Sequence, residues 1–349
     1  MKIRRLLATC AAVVVGAISV SVTAGPASSG TFPGADGLIA FVRYEGVCAE
    51  SAPGQGRTGE VHPSATCTGD IWTMTADGTN QVNLTNSPET DDGGPDWSAD
   101  GKQIAYASGP VDQYHIWVMN ADGSGKVEIT AASTGSDTGP SWSPDGTKIA
   151  FMSYDGEFTT IWVVNSDGTG LHQLTTSANN TDWYQPAWSP DGTRLAVVQL
   201  FPGTTSLVTI DATTGAVIAD LTPDLDNEGL GQPSWSPDGT KVAFRRYDPQ
   251  VGFDDLWVTN SDGSGGAVDL TPTDTTADDT SPSWSPSGTR IAYERSDFPF
   301  GEIWLIGADG TQPTNLTNNP EAMDSNPAWQ PIPQAKPAAQ VVIVPAFTG

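Results

Sequence analysis

Apolar residues along this chain fall in short runs broken by turn residues, and nowhere after the first two dozen positions do they recur at helical spacing. One pattern returns again and again. It opens Pro-x-Trp-Ser-Pro-Asp-Gly-Thr, continues through a run such as Lys-Ile-Ala-Phe, then Ile-Trp-Val-Met-Asn-Ala-Asp-Gly, and closes on Leu-Thr. Its first tryptophan falls at Trp97, Trp142, Trp188, Trp235, Trp284 and Trp329, with gaps of 45, 46, 47, 49 and 45 residues. Its second falls at Trp72, Trp117, Trp162, Trp257 and Trp304, with Leu207 expected in the remaining slot. Only Trp183 lies outside these two positions.

Each unit predicts four short strands, A to D. Asp-Gly pairs punctuate the A–B turn (Asp145-Gly146, Asp191-Gly192, Asp238-Gly239) and the C–D turn (Asp122-Gly123, Asp167-Gly168, Asp262-Gly263). They supply the positive φ of tight hairpins, so successive strands are antiparallel. Four strands per unit at this period predict an all-β, six-bladed β-propeller. The strand-A prolines (Pro140, Pro186, Pro233, Pro282, Pro327) fit an innermost strand with one free edge, because proline cannot donate to a ladder. Gly37-Leu38-Ile39-Ala40-Phe41 is a strand B without its A, and Asn326-Pro327-Ala328-Trp329 an A without its B. A blade shared between the two ends therefore closes the ring and removes exposed edges. The propeller is expected over residues 37–331, after a 25–36 linker and before a Pro/Ala-rich tail, 332–349.

Ser143-Pro144-Asp145-Gly146-Thr147-Lys148-Ile149-Ala150-Phe151 and Ile161-Trp162-Val163-Val164-Asn165-Ser166-Asp167-Gly168 resemble the repeat of the TolB-like propellers. These are a branch of the WD-type propellers, with relatives in tricorn-type and prolyl-oligopeptidase-like proteins. The resemblance implies the fold and leaves function open. It covers the propeller and not the α/β domain that precedes it in TolB. The peptidase relatives need a hydrolase domain, and no Gly-x-Ser-x-Gly elbow occurs.

Composition adds a location. Lys2, Arg4 and Arg5 precede the apolar stretch Leu6 to Val22, and Val22-Thr23-Ala24 offers small residues for cleavage after Ala24 or Ala27. Residues 1–24 thus read as an export signal, and no later segment is apolar enough to span a bilayer. Cleavage removes those three bases and no acid, moving the net charge from −26 to −29. Such a surface repels nucleic acid and favours basic partners. Cys48 and Cys67 flank an insertion, residues 43–69, and an oxidising compartment favours a disulfide between them.

Candidate chemistry is sparse. Asp92, Asp137, Asp279 and Asp324 each stand five residues before a repeat tryptophan, Asp182 six before, with Asp226 and Glu228 the nearest equivalents in the other blade. On a channel-lining strand they would form a carboxylate ring at one mouth. Such a ring suits a hard cation such as Ca²⁺, with Asp137 and Asp279 as candidate ligands, or a Lys/Arg-bearing partner; a loop-capping role repeated in each blade is the other reading. Tyr154, Phe158, Trp183 and Tyr184 are loop aromatics placed to stack on a sugar or peptide. The expectation is a secreted, monomeric, non-catalytic propeller that presents its channel mouth and loops to an envelope or extracellular protein or glycan. The alternative is a divalent-cation-assisted polysaccharide lyase or glycoside hydrolase.

Overall fold

The computed structural model describes residues 32–45, 68–201, 204–223, 229–272, 276–297 and 300–332. The segment expected to be an export signal, most of the insertion with Cys48 and Cys67, Asp226, Glu228 and the tail lie outside them. Among the described residues there is no helix, and the strands, β1–β24 in chain order, form six four-stranded antiparallel sheets. None of the described residues forms a helix long and apolar enough to cross a membrane.

Blade 1 holds β4 (Asp91–Trp97), β5 (Gln103–Gly109), β6 (His115–Asn120) and β7 (Val127–Glu128), ordered from the axis outward. The inner strands of blades 2 to 5 are β8 (Ser136–Trp142), β12 (Asp182–Trp188), β16 (Gly231–Trp235) and β20 (Asp278–Trp284). Blade 6 is the shared one: β24 (Ala322–Ile332) lies inside β1 (Ala35–Glu45), β2 (Gly69–Met74) and β3 (Val82–Asn83). There Ile39 pairs with Trp329 and Ala40 with Ala328, as the two incomplete repeats require.

Three recurrent devices explain why this sequence builds blades. The Asp-Gly turns are knotted by their own side chains: Asp145 Oδ1 accepts from Ser143 Oγ at 2.7 Å and from the Thr147 amide at 3.0 Å, while Gly146 sits at φ 70°. The closing Leu-Thr anchors the outer edge, because the threonine hydroxyl accepts the amide of the residue opening the strand-C core, as Thr130 does from Ile116 at 2.9 Å. The strand-A indoles fill the seams; Trp97, Trp142 and Trp235 are at most 1 % exposed. Each withdraws roughly 150–250 Å² from water, an upper bound of about 4–6 kcal/mol at about 25 cal/mol/Å².

A fourth device stitches blade to blade. Where the residue before the tryptophan is Ser or Asp, its side-chain oxygen accepts the backbone amide of the next blade's tryptophan: Asp96 from Trp142 at 2.7 Å, Ser141 from Trp188 at 3.2 Å, Ser234 from Trp284 at 3.1 Å and Ser283 from Trp329 at 3.3 Å. Where that residue is alanine, the next indole N–H donates to its carbonyl instead, Trp97 to Ala328 at 3.2 Å and Trp235 to Ala187 at 3.0 Å. All six seams are closed by one or the other.

One register expectation is corrected. In blade 3 the amide of Leu221 bonds Leu207 O, as Leu174 bonds Ile161 O in blade 2. Leu207 is thus the isoleucine equivalent, and Val208 occupies the tryptophan slot. Without an indole to mark it, the slot is displaced by one residue in the sequence pattern.

Candidate functional site

Strand order gives the ring two ends. The A–B and C–D turns lie at one, the B–C and D–A connections at the other, and the candidate aspartates open strand A at the connection end.

They do not line an open mouth. Asp92, Asp137, Asp279 and Asp324 are at most 1 % exposed, so their carboxylates belong to the seams. Each faces a fixed cross-strand partner on strand B: Ser108, Ser153, Arg295 and Arg43 respectively. The two arginine blades form bidentate pairs. Arg43 reaches Asp324 at 2.6 and 2.8 Å, and Arg295 reaches Asp279 at 2.7 Å through both nitrogens. Each guanidinium also lies over the strand-C indole of its blade, 4.8 Å from Trp72 and 4.9 Å from Trp304. Planar stacking and a two-pronged carboxylate contact are the interactions arginine makes best when buried.

The serine blades differ. Asp137 accepts from Ser133 Oγ at 2.9 Å, and its other oxygen stands 3.9 Å from His115 Nδ1. Burial pushes its carboxyl up to about 6, against hydrogen bonds that pull the other way. Asp92 is likewise raised by burial. Asp324 is raised too, because burial outweighs the opposing pull of Arg43. His115 is half-buried between Asp137 and Glu128, the latter 3.6 Å away. His172, in the next blade, is exposed and bonds Gly170 O.

Asp182 has a separate role. It accepts the Thr159 amide of the preceding blade at 2.7 Å, as Asp91 does from Gly69 at 2.7 Å and Asp278 from Asp254 at 2.9 Å. The true equivalent of the buried aspartates in blade 3 is Trp183, five residues before Trp188. It is 6 % exposed, packs in the seam between blades 2 and 3, and donates its indole N–H to Thr176 O at 3.0 Å. Trp183 is therefore not a loop aromatic. Tyr184 packs partly against the same cluster, while Tyr154 and Phe158 are half-buried at the B–C hairpin of blade 2. Among the described residues no three His, Cys, Asp or Glu side chains are grouped to hold a metal ion, and Asp279 is committed to Arg295.

The sequence reading missed the arginine partners. A faint signal was present: Arg43 and Arg295 occupy the same place after the strand-B run, where blades 1 and 2 carry serine.

A family model described as the TolB beta propeller domain matches residues 62–333. Among solved structures, TolB from Acinetobacter baumannii superposes with a TM-score of 0.66 at 22 % identity, over 84 % of this chain and 67 % of that one. A putative TolB from Agrobacterium tumefaciens gives 0.56 at 18 % identity, over 84 % and 99 %. A nidogen/laminin complex gives 0.61 at 12 % identity, over 84 % and 100 %. At these identities the three structures share the fold. No curated protein matches the chain in sequence.

Proposed function

The chain belongs to the TolB beta propeller domain family, and from that premise we propose that it is an extracytoplasmic, non-catalytic binding propeller whose connection end meets an envelope or extracellular protein or glycan. The observation that carries this reading is the contrast between the two ends. The turn end repeats one Asp-Gly design in five blades: Asp122, Asp167, Asp262 and Asp309 are each held below the usual carboxylate range by the Thr or Ser two residues on, and Asp77 by Thr75 and then Thr79. The connection end differs in every blade, from the short Pro110–Gln113 turn to the insertion after Glu45. Varied loops on a rigid frame are where recognition residues reside. The apolar segment from Leu6 to Val22 supports export. The nidogen/laminin structure is a precedent for a protein complex on this fold.

The test is capture from the native envelope with a cross-linker, comparing two charge-altered variants. Reversing exposed Asp112, Asp155 and Glu157 at the connection end should abolish capture of the partner. Neutralising Asp122 and Asp167 at the turn end should leave it intact. Equal loss in both variants, or equal retention, sinks the reading.

A further inference from the structure

The large apolar side chains left exposed among the described residues fall into two main groups. One group lies on the outermost strands, Val82 and Val268 among them, where β-branched residues are ordinary strand chemistry. The other stands at the tips of the B–C hairpins, at the connection end. It comprises Val111 in blade 1, Phe201 in blade 3, Val251 in blade 4 and Phe300 in blade 5, between 36 and 52 % exposed. Blade 2 carries the half-buried Tyr154 and Phe158 in the same place. Turns favour Gly, Asn, Asp, Ser and Pro, so apolar residues at these tips break the local rule, and such breaks gather at functional sites.

The tips are held out by their own turns. The Gln113 amide donates to Pro110 O at 2.9 Å, with Asp112 at φ 65°, and the Gly252 amide donates to Asp248 O at 2.7 Å, with Gly252 at φ 89°. In blade 2 the Asp155 carboxylate accepts the Glu157 and Phe158 amides at 2.9 and 2.8 Å. A side chain already fixed outward loses little freedom on binding.

Charge divides the two ends. Glu45, Glu89, Asp112, Asp155, Glu157 and Glu321 are exposed at the connection end, and among the described residues no exposed Lys or Arg accompanies them. The arginines of that end are withdrawn. Arg43 and Arg295 hold their aspartates, Arg245 holds Asp254 at 2.8 Å, and Arg246 lies 4.8 Å over the Trp257 indole. The exposed lysines, Lys102, Lys126, Lys148 and Lys241, all stand beside the turns of the opposite end. We propose that the B–C tips form a docking rim for a cationic amphipathic segment of a partner protein, which packs its apolar side chains on the tips and sets its Lys or Arg side chains among the acids. Apolar contact supplies the affinity; opposite charge speeds the approach and rejects wrong partners. The same acids repel anionic lipid headgroups, which favours a protein segment over a membrane surface. The inference rests on the binding reading above and names the partner's chemistry.

Three synthetic peptides serve as probes on the full chain: an amphipathic Lys/Leu peptide, the same with Glu for every Lys, and the same with Gly for every Leu. Fluorescence anisotropy should show the Lys/Leu peptide bound, less tightly as salt rises, and the other two weaker by about tenfold or more. Replacing Val111, Phe201, Val251 and Phe300 together by serine should weaken the Lys/Leu peptide by about tenfold or more, with wild-type melting. Val111→Ser with Val251→Ser, both in open turns outside the strands, makes the same comparison should the fourfold variant melt early. Equal binding by native chain and variants overturns the proposal, as does equal binding of the Lys/Leu and Lys/Gly peptides. Failure of the Lys/Leu peptide to bind overturns it too, as does sedimentation of the chain with phosphatidylglycerol vesicles. Retained capture of an envelope partner by the serine variant, with no Lys/Leu peptide bound by the native chain, removes the docking rim and leaves the binding propeller standing.

Discussion

Replacing Asp137 with asparagine should make the protein more stable at neutral pH, although the residue is fully buried. The native carboxyl sits at about 6 against an ordinary value of 3.8, chiefly because burial disfavours its charge. A folded-state value raised above the unfolded one gives stability that is present at low pH and lost as pH rises through about 6. At about pH 7.5 the ionised group costs on the order of 3 kcal/mol, at about 1.4 kcal/mol per unit of pKa. Near pH 4 the same linkage leaves only about half a kcal/mol. Asparagine keeps the oxygen that accepts from Ser133 Oγ at 2.9 Å and removes the charge. Urea denaturation followed by tryptophan fluorescence should therefore show Asp137→Asn ahead of wild type by roughly 1–3 kcal/mol near pH 7.5. The gap should narrow toward pH 4. A variant less stable than wild type at neutral pH, or a gap that ignores pH, refutes the reasoning.

The opposite sign is expected one position class away: Asp279→Asn strands the Arg295 guanidinium and should cost about 3–5 kcal/mol by the same assay, with Arg295→Met in the same chain recovering most of it. Thr130→Val removes the hydroxyl that accepts the Ile116 amide and should cost about 1–3 kcal/mol; hydrogen exchange at Ile116 should rise with it. Gly78→Ala should lower the melting temperature more than Gly146→Ala. Both glycines have positive φ, but a methyl at Gly78 strikes the Leu316 carbonyl while nothing lies within 4 Å at Gly146. Equal shifts would count against the contact.

The ring was legible because its two commonest contacts are written in rare residues. Indoles mark the seams, and Asp-Gly marks the turns, so blade count and closure follow from spacing. The slip at Leu207 shows the limit: where Val208 replaces the indole, three apolar neighbours fit the run equally well. The buried aspartates were visible as a repeat, but not their environment, since whether each meets Arg or Ser is decided by a strand that can be far away in sequence. Arg43 and Asp324 are 281 residues apart. Trp183 was misplaced for a related reason: it stands in an aspartate slot, and neighbouring Asp182 drew the acidic pattern one residue aside. The residue before each strand-A proline is left-handed in all six blades, and only Gly94 and Gly139 hinted at it, because a left-handed backbone under Gln185 or Gln232 has no sequence signature.

The clasp of β1 with β24 sets the order of synthesis against the order of assembly. β1, β2 and β3 leave the ribosome early, yet the neighbour that covers the inner flank of β1 is made only after five further sheets. Until then that flank offers unpaired peptide groups to any passing strand. Maturation of this protein is thus a race between its own latecomer and foreign partners wherever the chain folds, and a chain cut before Ala322 should give far less soluble protein than the full chain.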